Sequence, residues 1–353
     1  MQDIIISAGK IRKVLLPASF CLLLAAALLS GCSSESADGG ADNSASAAAA
    51  ASTQSSAEPT AAATAQAAQT AQTAQTAYPL TVTDELGHEL TLDAAPQRVF
   101  APYLEDSLVV LGIKPVAQWA NNGEGQAYLQ DKLAGVPLLD FNSGLPSPEV
   151  IMELQPDLIV LHNANYAENG VYEQYSKIAP TYVFKQAAGD LDSSVTLLGE
   201  LVGKQEAAAE GLAAYHQKVE DAKAELAPFT DGKKALIIRF NARGMFLMGG
   251  VYGGFVLADQ LGIAKSDLVA AENSLELSLE LLPQIDADYI FLANDTSNSG
   301  EIFYKELTES SIWKSIPAVQ AGHVYNVDDR YWLGGGIVAY SNVIDDVLEI
   351  IVP

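Results

Sequence analysis

Past residue 31 the chain has four arginines, Arg98, Arg239, Arg243 and Arg330, in a sequence of net charge −25. A guanidinium is a planar fork of donors that matches anionic oxygens. In so acidic a chain each arginine is therefore a candidate contact for a ligand. Arg239 sits at the end of an apolar run, where an unpaired charge is costly. It needs either a nearby aspartate or a ligand. Arg330 follows Asp328 and Asp329, so a local ion pair is its alternative. Arg98 begins a strand and is assigned to structure. Aromatic side chains offer broad apolar faces with a polar tip, and Tyr103, Trp119, Tyr166, Tyr252, Tyr331 and Trp332 fall at strand ends or in loops. Catalytic signatures are missing from the sequence: it has no G-x-S-x-G, no H-E-x-x-H and no P-loop. The glycine-rich run at residues 249–254 lacks the dinucleotide fingerprint. Four histidines, His88, His162, His216 and His323, are scattered without metal-ligand spacing.

Positioning these residues falls to an alternation of short apolar runs and helical stretches. Strands are predicted at residues 98–100, 115–119, 137–139, 157–161 and 181–184. Helices are predicted at 104–111, 126–133, 147–154 and 172–179, the third with Ser147 as N-cap and Pro148 at N1. A hairpin at 78–92 precedes them. Such alternation argues for a parallel, doubly wound sheet. Ligands of such sheets sit beyond the carboxyl ends of the strands, which here carry Tyr103 and Glu105, Trp119 and Asn121, and His162, Asn163 and Tyr166. A second alternating series follows, with strands at 234–240, 289–292 and 323–327 and a closing helix at 336–351.

Between the two series lies KQEAAAEGLAAYHQKVEDAKAELA, residues 204–227. Ala208, Leu212, Tyr215, Val219, Ala222 and Leu226 form one apolar stripe at helical spacing. Good helix formers fill the remainder, Gly211 being the weak spot at about 1 kcal/mol relative to Ala. Gly203 and Pro228 mark its expected ends. This helix reads as a strut between two lobes. Across it, SPEVIMELQPDLIVLHN from Ser147 aligns without a gap to SLELLPQIDADYIFLAN from Ser278. Ser147/Ser278, Glu149/Glu280, Asp157/Asp288, Ile159/Ile290, Leu161/Leu292 and Asn163/Asn294 recur in register. Asn163 and Asn294 are expected to face each other across a cleft.

At the amino terminus Lys10, Arg12 and Lys13 precede an apolar run and then Leu29-Ser30-Gly31-Cys32. That is a secretory signal, and its end resembles the bacterial lipobox, which implies cleavage before Cys32 and lipid on its sulfur. The first 31 residues carry one acid against three bases, so their removal takes the net charge from −25 to −27. No basic stripe exists for nucleic acid. Residues 33–77 are mostly Ala, Ser, Thr, Gln and Gly, too poor in large apolar side chains to fold. The expected division is a signal at 1–31, lipidated Cys32 and linker at 32–77, a lobe at 78–190, a connecting helical segment at 191–230 and a second lobe at 231–353.

The segments PQRVFAPYLEDSLVVLGIKPVAQW, SPEVIMELQPDLIV, GGFVLADQLGI and IWKSIPAVQAGHVYNVDDRYW, in this order and with the lipobox, resemble the solute-binding proteins of ABC importers for ferric siderophores, haem and corrinoids. The resemblance implies an α/β fold of two Rossmann-like lobes joined by a single long helix, with the ligand cleft between the lobes. It implies a binding protein rather than an enzyme, monomeric, without a cofactor, lipid-anchored on the extracytoplasmic face of the cell membrane. Its partners would be a ferric siderophore, which holds the iron itself, and an ABC permease dimer. By the resemblance Glu149 and Glu280 dock arginines of that permease. Tyr103, Trp119, Asn163, Tyr166, Arg239, Arg243, Tyr252, Asn294, Arg330 and Trp332 become the candidate ligand contacts. So few cations favour a neutral or weakly charged hydroxamate or mixed chelate. Haem or a corrinoid is the near alternative, with His162 and Tyr252 as candidate axial ligands for haem. A surface-anchored hydrolase is the distant one.

Overall fold

The computed structural model describes residues 76–353 apart from 295–298, all within one compact unit, Gln69–Pro353. The signal segment, Cys32 and nearly all of the Ala/Thr/Gln stretch lie outside the described residues.

Strands β1 (Leu80–Thr83) and β2 (Glu89–Leu92) form the expected hairpin. Then come β3 (Val99–Phe100), β4 (Gln118–Ala120), β5 (Leu138–Asp140), β6 (Leu158–Leu161) and β7 (Thr181–Val183). They pair in parallel, as predicted, but in two pieces, β3-β6-β7 and β4-β5. After the strut come β8 (Lys234–Asn241), β9 (Gly244–Met248), β10 (Ala264–Lys265), β11 (Ser274–Glu276), β12 (Tyr289–Asn294) and β13 (Val324–Asp328). These form one mixed sheet in the order β11-β9-β8-β12-β13, with β10 beside β8. Strands β9, β10 and β11 were not foreseen. The stretch β8–β9 is a hairpin with Ala242-Arg243 as its two-residue loop, pairing Asn241 with Gly244.

The strut is a 26-residue helix, Gln205–Thr230, about 39 Å long at 1.5 Å per residue. It runs through Pro228, which the sequence marks as its end. A proline removes the N–H that would bond four residues back and crowds that carbonyl. Here it falls in the last turn, and Thr230 Oγ1 donates to Leu226 O at 3.0 Å while Asp231 N closes onto Ala227 O, so the turn holds. Ala208, Tyr215, Val219, Ala222 and Leu226 are buried as the stripe requires. Gly211 has a reason beyond propensity. A Cβ there would lie 2.5 Å from Val110 Cγ1, so only glycine lets the strut meet helix Glu105–Val110.

The internal echo is geometric. Asp157 N donates to Arg98 O while its carboxylate accepts from Arg98 N; Asp288 N donates to Lys234 O while its carboxylate accepts from Lys234 N. Ile159 N donates to Pro180 O, and Ile290 N to His323 O. Registers agree too: Ile159 opposes Thr181 as Ile290 opposes Val324. Thus β3-β6-β7 and β8-β12-β13 are the same three-strand unit. Period-two alternation divides their side chains the same way. Leu158 and Val160, like Tyr289 and Phe291, join one core that continues through the strut stripe and both halves. Ile159 and Leu161 face a separate core in the first half, and Ile290 and Leu292 face another in the second. Each half is thus a layered α/β body with a private core on one face and a shared core on the other.

Helix Pro148–Glu153 and the 3-10 turn Leu279–Gln284 hold the echoing serines and glutamates. Pro283 sits inside the second and cannot donate the backbone bond that would extend it as an α-helix.

Candidate functional site

The carboxyl ends of β3, β4 and β6 bring Tyr103, Trp119, His162 and Tyr166 into one aromatic cluster. Tyr103 is its centre, with ring centroids 5.4 Å from Trp119, 4.4 Å from His162, 5.7 Å from Tyr166 and 5.6 Å from Phe141. It holds this place with a left-handed φ of +67°, an outlying conformation for an aromatic residue that marks a constrained position. Tyr166 Oη donates to Tyr103 Oη at 3.1 Å. Burial pushes the Tyr103 phenol well above its ordinary range. The Trp119 indole N–H is buried and completes no hydrogen bond, although it lies close enough to the Tyr103 hydroxyl to act against that shift. Burial lowers His162 to about 4, so its ring is neutral at physiological pH.

Two carboxylates stand behind this cluster on helix Glu105–Val110. Glu105 and Asp106 are each 1% exposed. Glu105 Oε1 accepts from Trp119 N at 2.6 Å and its Oε2 has no partner. Desolvation pushes it up to about 7 against the pull of backbone hydrogen bonds.

In the second half the carboxyl end of β8 carries Arg239, Asn241 and Arg243. Together with Phe246 and Ser274 they line a recess of about 200 Å³. Arg239 is half-buried and stands opposite Phe246 on β9. Neither Arg239 nor Arg243 donates a guanidinium hydrogen bond or forms an ion pair among the described residues. No aspartate among the described residues pairs with Arg239. A larger recess of about 330 Å³ lies between β2 and helix Val171–Tyr175, lined by Glu89, Thr91, Tyr172 and Lys177. None of the candidate contacts borders it.

Other candidates fare differently. Asn163 lies two residues beyond β6, caps the following turn by accepting from Asn165 N, and donates to Gln186 Oε1 at 2.7 Å. Asn294 ends β12 and donates to Glu301 Oε2. Tyr252 is exposed, with φ +53°. Arg330 grips Asp328 with Nε at 2.7 Å from Oδ1 and a second bond from its terminal nitrogen, so the local pair is what forms. Trp332 is a correction. It is 0% exposed, packs at a tilt against Phe291 at 4.7 Å and donates to Asp346, which makes it a core residue. Tyr331 likewise donates to Asp346. Arg98 is structural, its guanidinium donating to Gln155 O and Leu154 O. Asn241, Phe246 and Ser274 were missed. Asn241-Ala242-Arg243-Gly244 between two apolar runs is a hairpin signal that would have found the first two.

Glu149 and Glu280 are fully solvated and sit in equivalent first turns. Ser147 and Ser278, rather than capping a backbone N–H, hydrogen-bond these carboxylates and hold both below the usual range. Among the described residues no cluster of three or more His, Cys, Asp or Glu side chains could hold a metal ion.

Comparison with known proteins agrees with this architecture. The profile of the periplasmic binding protein family matches residues 107–331. The probable siderophore-binding lipoprotein YfiY of Bacillus subtilis is 31% identical over 293 residues, 76% of this chain and 86% of YfiY. The iron(3+)-hydroxamate-binding protein YxeB of the same organism is 27% identical over 274 residues, 74% of this chain and 82% of YxeB. The crystal structure of Staphylococcus aureus SirA complexed with staphyloferrin B superposes with a TM-score of 0.68 at 27% identity, over 77% of this chain and 98% of SirA. The match fits two α/β lobes joined by one long helix and a binding rather than catalytic role, and the chain belongs to the periplasmic binding protein family.

Proposed function

We propose that this protein is the extracytoplasmic, lipid-anchored receptor of an ABC importer, and that it binds a ferric siderophore of low charge, of hydroxamate or mixed type. The observation that carries the reading is the division of labour at the strand ends. An aromatic cluster around Tyr103 supplies apolar contact for a bulky chelate. Arg239 and Arg243, unengaged in a recess of about 200 Å³, supply two charge-assisted donors. Two cations without a partner among the described residues match a chelate with one or two negative charges and fall short of a triply charged one. YfiY and YxeB, siderophore- and hydroxamate-binding by name, favour the same ligand class. With no metal-ligating cluster among the described residues, the iron would travel inside its chelate. His162, neutral and packed between Tyr103 and Tyr166, serves the cluster in this reading, which weakens the haem alternative.

Glu149 and Glu280 would dock the permease, since they are exposed, alike in setting and held ionised by their serines. The test is tryptophan quenching against ferric hydroxamates, ferric citrate, a ferric catecholate, haem and cobalamin, repeated on Glu149→Ala/Glu280→Ala. Saturable quenching by a ferric hydroxamate or mixed chelate is expected, with affinity kept and uptake lost in the variant. Quenching by haem with a Soret shift, or affinity lost in the variant, would refute the respective half of the proposal.

A further inference from the structure

The two buried carboxylates of helix Glu105–Val110 serve different halves of the molecule. Glu105 holds Trp119 within its own half. Asp106 reaches across: its Oδ1 accepts from Val338 N at 3.0 Å and its Oδ2 from Ala339 N at 2.9 Å. Those amides belong to the first turn of the 15-residue helix Ile337–Ile351, where an N–H has no acceptor within its own helix. The helix dipole favours an anion there. Among the described residues no cation pairs with Asp106. The titratable groups around it are Glu105 on its own helix, Tyr128 from the turn Ala127–Leu129 and Tyr340 on the closing helix. Burial pushes its carboxyl up to about 6, which measures how unfavourable the site is for a charge.

The opposite side is shaped to fit. Gly336 precedes the closing helix at φ +117°, and a Cβ there would lie 2.3 Å from Asp106 Cγ. Beside this contact Tyr128 meets Tyr331 edge-on at 6.3 Å. Helix Glu105–Val110 follows the carboxyl end of β3, and the segment reaching Gly336 follows the carboxyl end of β13. The contact therefore lies on the side of both sheets where a ligand is held.

We propose that Asp106 is an interlobe latch, a positioning residue that fixes the closing helix of one half against the first helix of the other and so sets the spacing of the cleft. Its consequence for binding rests on the cleft being the ligand site; its geometry does not. The test is hydrogen exchange on the full chain without ligand. In the wild type the Val338 and Ala339 amides should exchange slowly, although they open a helix. Asp106→Asn turns one acceptor into a donor. It should raise their exchange about tenfold or more, and with them that of Leu129 in the other half, while β6 and β12 stay protected. Gly336→Ala should do the same from the opposite side, and the double variant should add nothing to either. Fast exchange of Val338 and Ala339 in the wild type would overturn the latch whether or not the variants fold. So would release confined to the closing helix, which is the behaviour of a mere cap. Because no ligand enters the experiment, failure of the siderophore reading would leave its result intact.

Discussion

In the first half the parallel strands β3 and β6 run out into tyrosines, with the Trp119 indole of β4 and a neutral imidazole beside them; in the second half the equivalent β8, β12 and β13 run out into Arg239, Asn294 and Asp328. Behind those ends the three-strand unit is shared: register, the aspartate that ties two strands together, and the side-chain alternation between a private and a common core. Buried alternation is hard to vary, since a one-residue slip turns every apolar side chain outward. Strand ends carry no such constraint. A duplicated frame can therefore present an apolar wall on one side and a cationic wall on the other, which suits a ligand that is bulky and weakly anionic.

The largest effect should come from removing the cationic wall. Arg239→Gln with Arg243→Gln deletes two charge-assisted contacts worth about 1.5–3 kcal/mol each, a loss of about a hundredfold or more in affinity. Raising the salt should weaken the wild type and leave the double variant nearly unchanged. Tyr166→Leu, on the aromatic wall, should cost about 0.5–1.5 kcal/mol with no change in salt response. Isothermal titration at two ionic strengths separates the walls. A salt-dependent loss from Tyr166→Leu would break the division of labour.

The two halves also differ at one step of the echo, where His162 stands against Ala293. Burial lowers His162 from 6.5 to about 4, so the folded chain refuses a proton that the unfolded chain accepts. Stability from this group is full above the unfolded value and is lost as pH falls from 6.5 towards 4. By about pH 5 the loss is on the order of 2 kcal/mol. Glu105 and Asp106, raised by burial to about 7 and about 6, act in the opposite sense, but they are common to wild type and variant. The difference in unfolding free energy between His162→Gln and wild type should therefore move in favour of the variant as pH drops from about 7 to about 5. A difference that stays flat would place His162 in contact with water.

Much of this frame was legible in the sequence. The strut stripe, the alternation and the echo depend on periodicity and on paired aspartates, which a linear chain displays. Pro228 misled because a proline in the last turn forfeits one backbone bond, to Ala224 O, while the turn beyond it still closes through Thr230 Oγ1 onto Leu226 O and Asp231 N onto Ala227 O. Trp332 misled because a tryptophan beside charged residues looks like a surface residue. Its partner Asp346 lies fourteen positions away on the closing helix, a contact that only the fold brings about. Arg330 was written with its answer beside it, in Asp328. Strand β9 was lost among glycines, and with it Phe246, the wall of the recess. The Asp106 contact spans more than two hundred residues and had no local signal at all.

The smallest effect tests the frame itself. Asp157 accepts two backbone amides, Gln97 N and Arg98 N, at 2.8 Å each. Asp288 accepts one, Lys234 N at 2.9 Å, and spends its other oxygen on the Lys233 ammonium. Exposed ion pairs contribute about 0–1 kcal/mol, whereas a strand-end amide deprived of its acceptor costs about 1 kcal/mol. Asp157→Ala should thus lower stability by about 1–2 kcal/mol and Asp288→Ala by about 1 kcal/mol, read as shifts of the urea midpoint at constant slope. If Asp288→Ala proved the costlier of the two, the lysine pair and not the shared amide tie would be holding the second half. The equivalence of the two aspartates would then be one of position without function.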